Sequence, residues 1–166
     1  AAIISDTLLF KSPTSTKVDE EAVKKLSKIA GIDIYDFGNK MFRAGTSLAG
    51  KSAKDIFYQD FKEFYLKNKK IGIGQVYTMD IDGIAPIKSG LLEFMEDART
   101  SKEYDLLILM LTDIIHEGSE LLFTSGGREV ISRAFEVHPD RNGIYIPGVV
   151  SRKKQVVPPI ASILDS

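Results

Sequence analysis

The fold of this chain is most tightly constrained by a continuous apolar run between Asp105 and Ile115, which contains the sequence Leu-Leu-Ile-Leu-Met-Leu. The run lacks the alternation of apolar and polar residues that marks a strand with one solvent-exposed face. It is also far shorter than the roughly 20 residues that span a bilayer. Such a run is typical of a strand that is buried on both faces. We therefore expect a sheet with other elements packed against each side.

Segments on both sides of the run predict the rest of this sheet and its helices. Alternating apolar residues and turn signals predict strands, whereas apolar residues at helical spacing predict helices. The strands are expected at Asp60–Leu66, Lys70–Thr78, Glu120–Ser125 and Ile144–Val150, and the helices at Ile87–Arg99 and Arg128–Phe135. The predicted fold class is α/β, with a mixed β-sheet flanked by helices.

The first third of the chain has a different, helical pattern. Acidic residues and helical spacing predict a helix that ends near Gly31, followed by a second helix over Ile34–Arg43. Residues 44–51 are small and uncharged until Lys51, which is typical of a linker or hinge. We predict domains at 1–43 and 52–166, with the linker between them.

Composition narrows the function classes. The formal net charge is −1, so the chain lacks the global basic field that drives non-specific nucleic-acid binding, and no nucleic-acid partner is expected. The absence of cysteine excludes disulfides and thiolate metal sites. No stretch predicts a membrane span or a signal peptide, and a cytoplasmic protein is the default expectation.

A dense cationic segment precedes the last apolar stretch. It reads Ser151-Arg152-Lys153-Lys154-Gln155-Val156-Val157-Pro158. Three adjacent fixed charges repel one another, and the combination of a guanidinium fork with ammonium groups suits a small phosphate ligand. We predict a loop just before a helix that Pro158 opens, where free amides also favour anions. A solvated surface is the alternative that the pattern alone leaves open.

Two segments carry a resemblance to a known family. Gly-Val-Val-Ser-Arg-Lys-Lys-Gln-Val-Val-Pro at 148–158 resembles the C-terminal signature of family II, manganese-dependent inorganic pyrophosphatases. The opening segment, residues 1–14, is similar to the last metal-binding motif of their DHH domain. The resemblance implies that 52–166 is the DHH-associated, substrate-binding domain, and that 1–43 is the helical remnant of the catalytic DHH domain.

The resemblance also implies roles for particular residues. Lys62, Arg152 and Lys153 match the cations that bind substrate phosphate, and Lys154 is expected to assist them. Asp6 matches a ligand of a catalytic metal, Mn²⁺ or Co²⁺, and Mg²⁺ is expected to accompany pyrophosphate. The other metal ligands would precede Ala1. The parent enzyme is expected to be a homodimer that associates through its DHH domain, and this chain alone is expected to be inactive.

The sequence gives less support for a functional role of the remaining candidate residues. His138 and Asp140 superficially resemble a metal-ligand pair, but their setting predicts a surface turn, and His116 is interpreted as a strand-end residue. Gly126-Gly127 could cradle a phosphate, although a tight strand-to-helix turn is favoured. Two other functions remain open: exopolyphosphatase activity, and a non-catalytic polyanion-binding or regulatory module.

Overall fold

The computed structural model of the protein describes residues 1–46, Leu48 and 50–164. The chain divides into two compact units, Ala1–Ser47 and Leu48–Ser166. Two positions of the predicted linker, Ser47 and Ala49, lie outside the described residues. Across the described residues, every helix is too short or too polar to traverse a lipid bilayer.

The first unit is helical. It contains α1 (Ala2–Asp6), α2 (Lys17–Ala30) and α3 (Ile34–Gly45). A capping box between Thr16 and Asp19 starts α2, and Gly31 at φ 66° ends it. The helix α3 continues through Ala44 and Gly45, so these two residues are helical rather than part of a linker.

The second unit is built on a mixed sheet. In the part of the chain that the structure describes, five strands pair in the order β1-β2-β3-β4-β5, with β2 and β3 parallel and the other pairs antiparallel. The strands are β1 (Phe61–Leu66), β2 (Lys69–Thr78), β3 (Leu106–Asp113), β4 (Gly118–Phe123) and β5 (Gly143–Pro147). All of β3 is buried, as the apolar run predicts.

Helices cover both faces of the sheet. One face packs against α4 (Ala53–Phe57) and α5 (Lys88–Ser101), which follows a 3-10 helix at Asp82–Ile87. The other face packs against α6 (Gly127–Phe135) and a C-terminal helix in which the π-helical turn Arg152–Val156 continues into α7 (Val157–Leu164). We call these the α5 face and the α7 face. The predicted mixed sheet flanked by helices is confirmed.

Two predictions about local structure are wrong. The cationic segment is a π-helical turn and not a loop, so Pro158 lies inside a continuous helix instead of opening one. The sequence pattern does not predict α4, because its five residues are too few to show helical periodicity. By contrast, Gly126, with φ 86°, forms the expected tight turn into α6.

The close approach of β2 to α4 gives a stability prediction. A Cβ on Gly74 would lie 2.6 Å from the backbone oxygen of Phe57, which cannot rotate away as a side chain can. We expect Gly74→Ala to lower the free energy of unfolding by about 1–3 kcal/mol in urea denaturation. Gly90→Ala is the control, because a Cβ there meets no atom within 4 Å. Equal effects of the two substitutions would contradict this packing.

Candidate anion-binding site

The π-helical turn Arg152–Val156 is fixed at its start by hydrogen bonds. Ser151 is its N-cap and accepts a hydrogen bond from the backbone N–H of Lys154 at 3.4 Å. The amide oxygen of Gln155 accepts from the backbone N–H groups of Val150 and Ser151, each at 3.0 Å. Its amide nitrogen donates to the carbonyl of Gly148 at 2.7 Å. The turn is therefore held against the end of β5, and π-helical turns of this kind are frequent at functional sites.

Arg152 points inward from this turn. Its side chain is only 6% exposed, and its Nη2 donates to the Asp60 carboxylate at 2.8 Å. Its Nη1 donates to two backbone carbonyls, those of Asp60 at 2.6 Å and Ile73 at 3.0 Å. Arg152 is thus a buried guanidinium that joins the C-terminal helix to Asp60, just before β1, and to β2. This fits the requirement that a buried charge be both paired and hydrogen-bonded.

Lys62 lies on the same face of the sheet. Phe61 packs on the α5 face and Phe64 on the α7 face, which settles the orientation that the sequence left open. Because side chains alternate along a strand, Lys62 shares the α7 face with Phe64. Lys62 pairs across the sheet with Ile73, whose carbonyl accepts from Arg152. The fold therefore brings Lys62 and Arg152 to neighbouring positions, although 90 places separate them in the sequence.

Lys153 follows Arg152 on the turn and is exposed, as are Lys154 and Lys62. Within the described ranges, the ammonium groups of Lys62 and Lys153 have neither a hydrogen-bond nor an ion-pair partner. The guanidinium of Arg152, by contrast, is paired with the Asp60 carboxylate. We call Lys62, Arg152 and Lys153 the cationic cluster.

Two residues that support this cluster were missed by the sequence analysis. Gln75 is 4% exposed, and its side chain donates to Thr112 at 3.0 Å and to the Val150 carbonyl at 3.1 Å. Its backbone N–H donates to the carbonyl of Asp60 at 2.9 Å, the same oxygen that Arg152 binds. Asp60 lies two residues before Lys62, but no sequence pattern pairs it with a residue 92 positions away.

Asp6 belongs to the first unit, where it is the last residue of α1 and is exposed. The three residues Leu8, Leu9 and Phe10 have φ values of 48°, 55° and 69°. Left-handed backbone costs about 1–2 kcal/mol per residue, so the turn after Asp6 is strained.

The residues present do not complete a metal site. Among the described residues, no group of three or more His, Asp or Glu side chains is arranged to hold a metal ion. His116 is 71% exposed, and its Nδ1 lies 2.7 Å from the Asp113 carboxylate at the end of β3. His138 is exposed in the segment between α6 and β5. Asp6 alone supplies one carboxylate, fewer donors than a bound transition metal needs.

A separate cavity of about 450 Å³ lies on the α5 face. Its lining includes the ion pair of Lys88 with Glu120 at 2.5 Å and the Asp113–His116 pair. Burial raises the pKa of the Tyr145 phenol in this lining, and the charge of Asp113 raises it further. The charged lining groups are thus mostly paired with one another, unlike the exposed lysines of the cationic cluster.

The fold defines a class: an α/β domain built on a mixed five-stranded sheet flanked by helices. Residues 39–163 match the family profile described as the DHHA2 domain. The chain belongs to this family. The resemblance to family II inorganic pyrophosphatases is confirmed by relatives and by a solved structure.

Several relatives of similar sequence are named as inorganic pyrophosphatases. A probable manganese-dependent inorganic pyrophosphatase of Clostridium acetobutylicum is 47% identical over 99% of this chain and 53% of its own length. A cobalt-dependent inorganic pyrophosphatase of Clostridium perfringens is 48% identical, with 99% of this chain and 30% of the relative covered. A solved Methanococcus jannaschii structure, described provisionally as a family II inorganic pyrophosphatase, matches with a TM-score of 0.89 and 42% sequence identity. The match covers 99% of this chain and 54% of the solved chain. The chain spans about half the length of several relatives.

The two neighbouring cations predict stability effects of different size. Arg152→Ala removes the donor to the Asp60 carboxylate and to the carbonyls of Asp60 and Ile73, and we expect a loss of about 2–3 kcal/mol, below the value for a fully buried pair because Asp60 is 47% exposed. Lys153→Ala removes an exposed side chain and is expected to change stability by less than about 0.5 kcal/mol. Urea denaturation of both variants is the measurement. A small loss for Arg152→Ala would rule out its structural role.

Proposed function

We propose that the second unit binds inorganic pyrophosphate on the cationic cluster, and that the chain is the substrate-binding part of a manganese- or cobalt-dependent inorganic pyrophosphatase. The observation that supports the proposal is the contact of Arg152 with Asp60 and with Ile73, which is the cross-strand partner of Lys62. The choice of pyrophosphate as the ligand is supported by the relatives, which are named as inorganic pyrophosphatases.

The charges of the cluster suit a compact polyanion. Lys62 and Lys153 are exposed ammonium groups without a bound carboxylate in the described structure, so an anion neutralises them without first breaking an ion pair. Ammonium groups act as point charges, whereas a guanidinium adds directed N–H donors. Two phosphoryl groups joined by one oxygen carry enough charge to engage several such cations together.

The role of these residues in hydrolysis would be electrostatic. Phosphoryl transfer places negative charge on the transferred group and on the leaving phosphate, and fixed cations stabilise that charge. Lys62, Lys153 and Arg152 would hold pyrophosphate and compensate the charge as the bond to the leaving phosphate breaks. A transition metal bound by Asp6 together with ligands from the rest of the enzyme would supply an activated water.

The metal itself requires ligands beyond those present. Relatives named as manganese- and cobalt-dependent indicate which metals the complete enzyme uses. We assign Asp6 as one ligand of that metal, with the remaining ligands contributed by residues that this chain does not contain. Mg²⁺ bound with pyrophosphate, a homodimeric parent and a cytoplasmic location belong to the same proposal. The chain alone is then inactive.

Binding by this chain is directly measurable. We expect isothermal titration calorimetry to show metal-independent binding of pyrophosphate that weakens about tenfold in Lys62→Ala and in Lys153→Ala, since each substitution removes one contact to a charged group. Lys54→Ala is the matched control, because Lys54 is an exposed lysine on α4 at the other face of the sheet. Equal affinities for all three variants would refute the assigned cluster.

Turnover tests the wider assignment. In a protein of the relatives' full length that carries this chain, Arg152→Ala and Lys153→Ala should lower kcat for pyrophosphate by roughly 100-fold or more, because they remove transition-state charge stabilisation. Phosphate release with Mn²⁺ from pyrophosphate and from long-chain polyphosphate is the measurement. Faster release from polyphosphate would favour exopolyphosphatase activity, and unchanged kcat in the variants would contradict the assignment.

A further inference from the structure

Asp60 and Arg152 form an ion pair in which the carboxylate is the more exposed partner. The arginine side chain is 6% exposed, whereas that of Asp60 is 47% exposed, so the carboxylate lies on the solvent side of the pair. The carboxylate oxygen is 2.8 Å from Nη2. This is the distance and geometry at which a phosphoryl oxygen would accept from the same nitrogen.

The remaining contacts hold Arg152 without the carboxylate. Nη1 donates to the backbone carbonyls of Asp60 and Ile73, and the Asp60 carbonyl is also bound by the N–H of Gln75. These acceptors are main-chain atoms, which no side-chain substitution at Asp60 removes. Among the described residues, the Asp60 carboxylate is therefore the one negatively charged partner of the guanidinium. The orientation of the guanidinium is fixed mainly by neutral carbonyls.

From this geometry we infer that Asp60 is an affinity-determining residue that competes with the incoming anion for Nη2 of Arg152. An oxyanion reaches that nitrogen only by displacing the carboxylate or sharing the guanidinium with it. The inference rests on the proposed binding of pyrophosphate to the cationic cluster. It adds a residue that opposes binding to the residues that favour it.

The competition has a physical consequence for binding. The carboxylate offsets one of the three positive charges of the cluster, and it repels the ligand that the other two attract. Without a ligand, it also neutralises a buried guanidinium that would otherwise be costly to desolvate. The same group thus stabilises the unliganded fold and lowers the affinity for the anion, which favours release of phosphate once hydrolysis is complete.

Substitution at Asp60 tests this competition by its sign. In calorimetric titrations with inorganic pyrophosphate, we expect Asp60→Asn to bind roughly three- to tenfold tighter than the unsubstituted chain, because one repelling charge is removed. Asp60→Glu keeps the charge and should bind within about twofold of the unsubstituted chain. Asp97→Asn is the matched control, since it removes one exposed carboxylate from α5 on the opposite face. It should leave the affinity unchanged.

The outcomes separate this inference from the function on which it rests. Weaker or equal binding by Asp60→Asn would overturn the competition, even where Lys62→Ala and Lys153→Ala bind more weakly as proposed. Unchanged binding in both lysine variants would overturn the pyrophosphate site, even where Asp60→Asn binds more tightly. Absence of binding by every variant would overturn both.

A second measurement follows the guanidinium itself. Side-chain ¹H–¹⁵N spectra should show the Arg152 signals of the unsubstituted chain shifting when pyrophosphate is added, as the carboxylate is replaced by a phosphoryl oxygen. In Asp60→Asn these signals should already differ before addition. Arg152 signals that stay fixed at saturating pyrophosphate would show that the ligand never reaches Nη2, and would overturn the inference. The midpoints of urea denaturation of Asp60→Asn and Asp60→Glu verify that each variant is folded.

Discussion

The buried guanidinium of Arg152 is the interaction on which the organisation of the second unit's α7 face depends. It donates to the carbonyl of Asp60, just before β1, and to the carbonyl of Ile73 in β2, and it does so from the first turn of the C-terminal helix. A cation in that position is stable only with its acceptors in place. The acceptors therefore fix where the turn lies on the sheet, and with it where Lys153 emerges.

The sheet separates two kinds of polar site. On the α7 face, Lys62 and Lys153 are exposed without carboxylate partners among the described residues, which leaves their charge available to an anion. On the α5 face, the cavity is lined by Lys88 and Glu120, which neutralise each other, and by a histidine paired with Asp113. We accordingly propose anion binding on the α7 face.

The sequence was sufficient for the sheet and less so for the site. The apolar run of β3 and the alternation in β2 reflect burial directly, so their strands were predictable. Resemblance indicated Lys62, Arg152 and Lys153, but the burial of Arg152 depends on Asp60, a partner 92 positions away. The π-helical turn was also unpredictable, because it is held by contacts of the Gln155 side chain with residues 148–151, just after β5, and periodicity does not report such contacts.

The most direct measurement is the position of a bound non-hydrolysable pyrophosphate analogue, such as methylenediphosphonate, in a crystal of this chain. The account predicts phosphorus density on the α7 face, within hydrogen-bond reach of Lys62 Nζ and Lys153 Nζ, with an oxygen approaching Nη2 of Arg152. Density confined to the cavity on the α5 face, or bound away from both lysines, would contradict it.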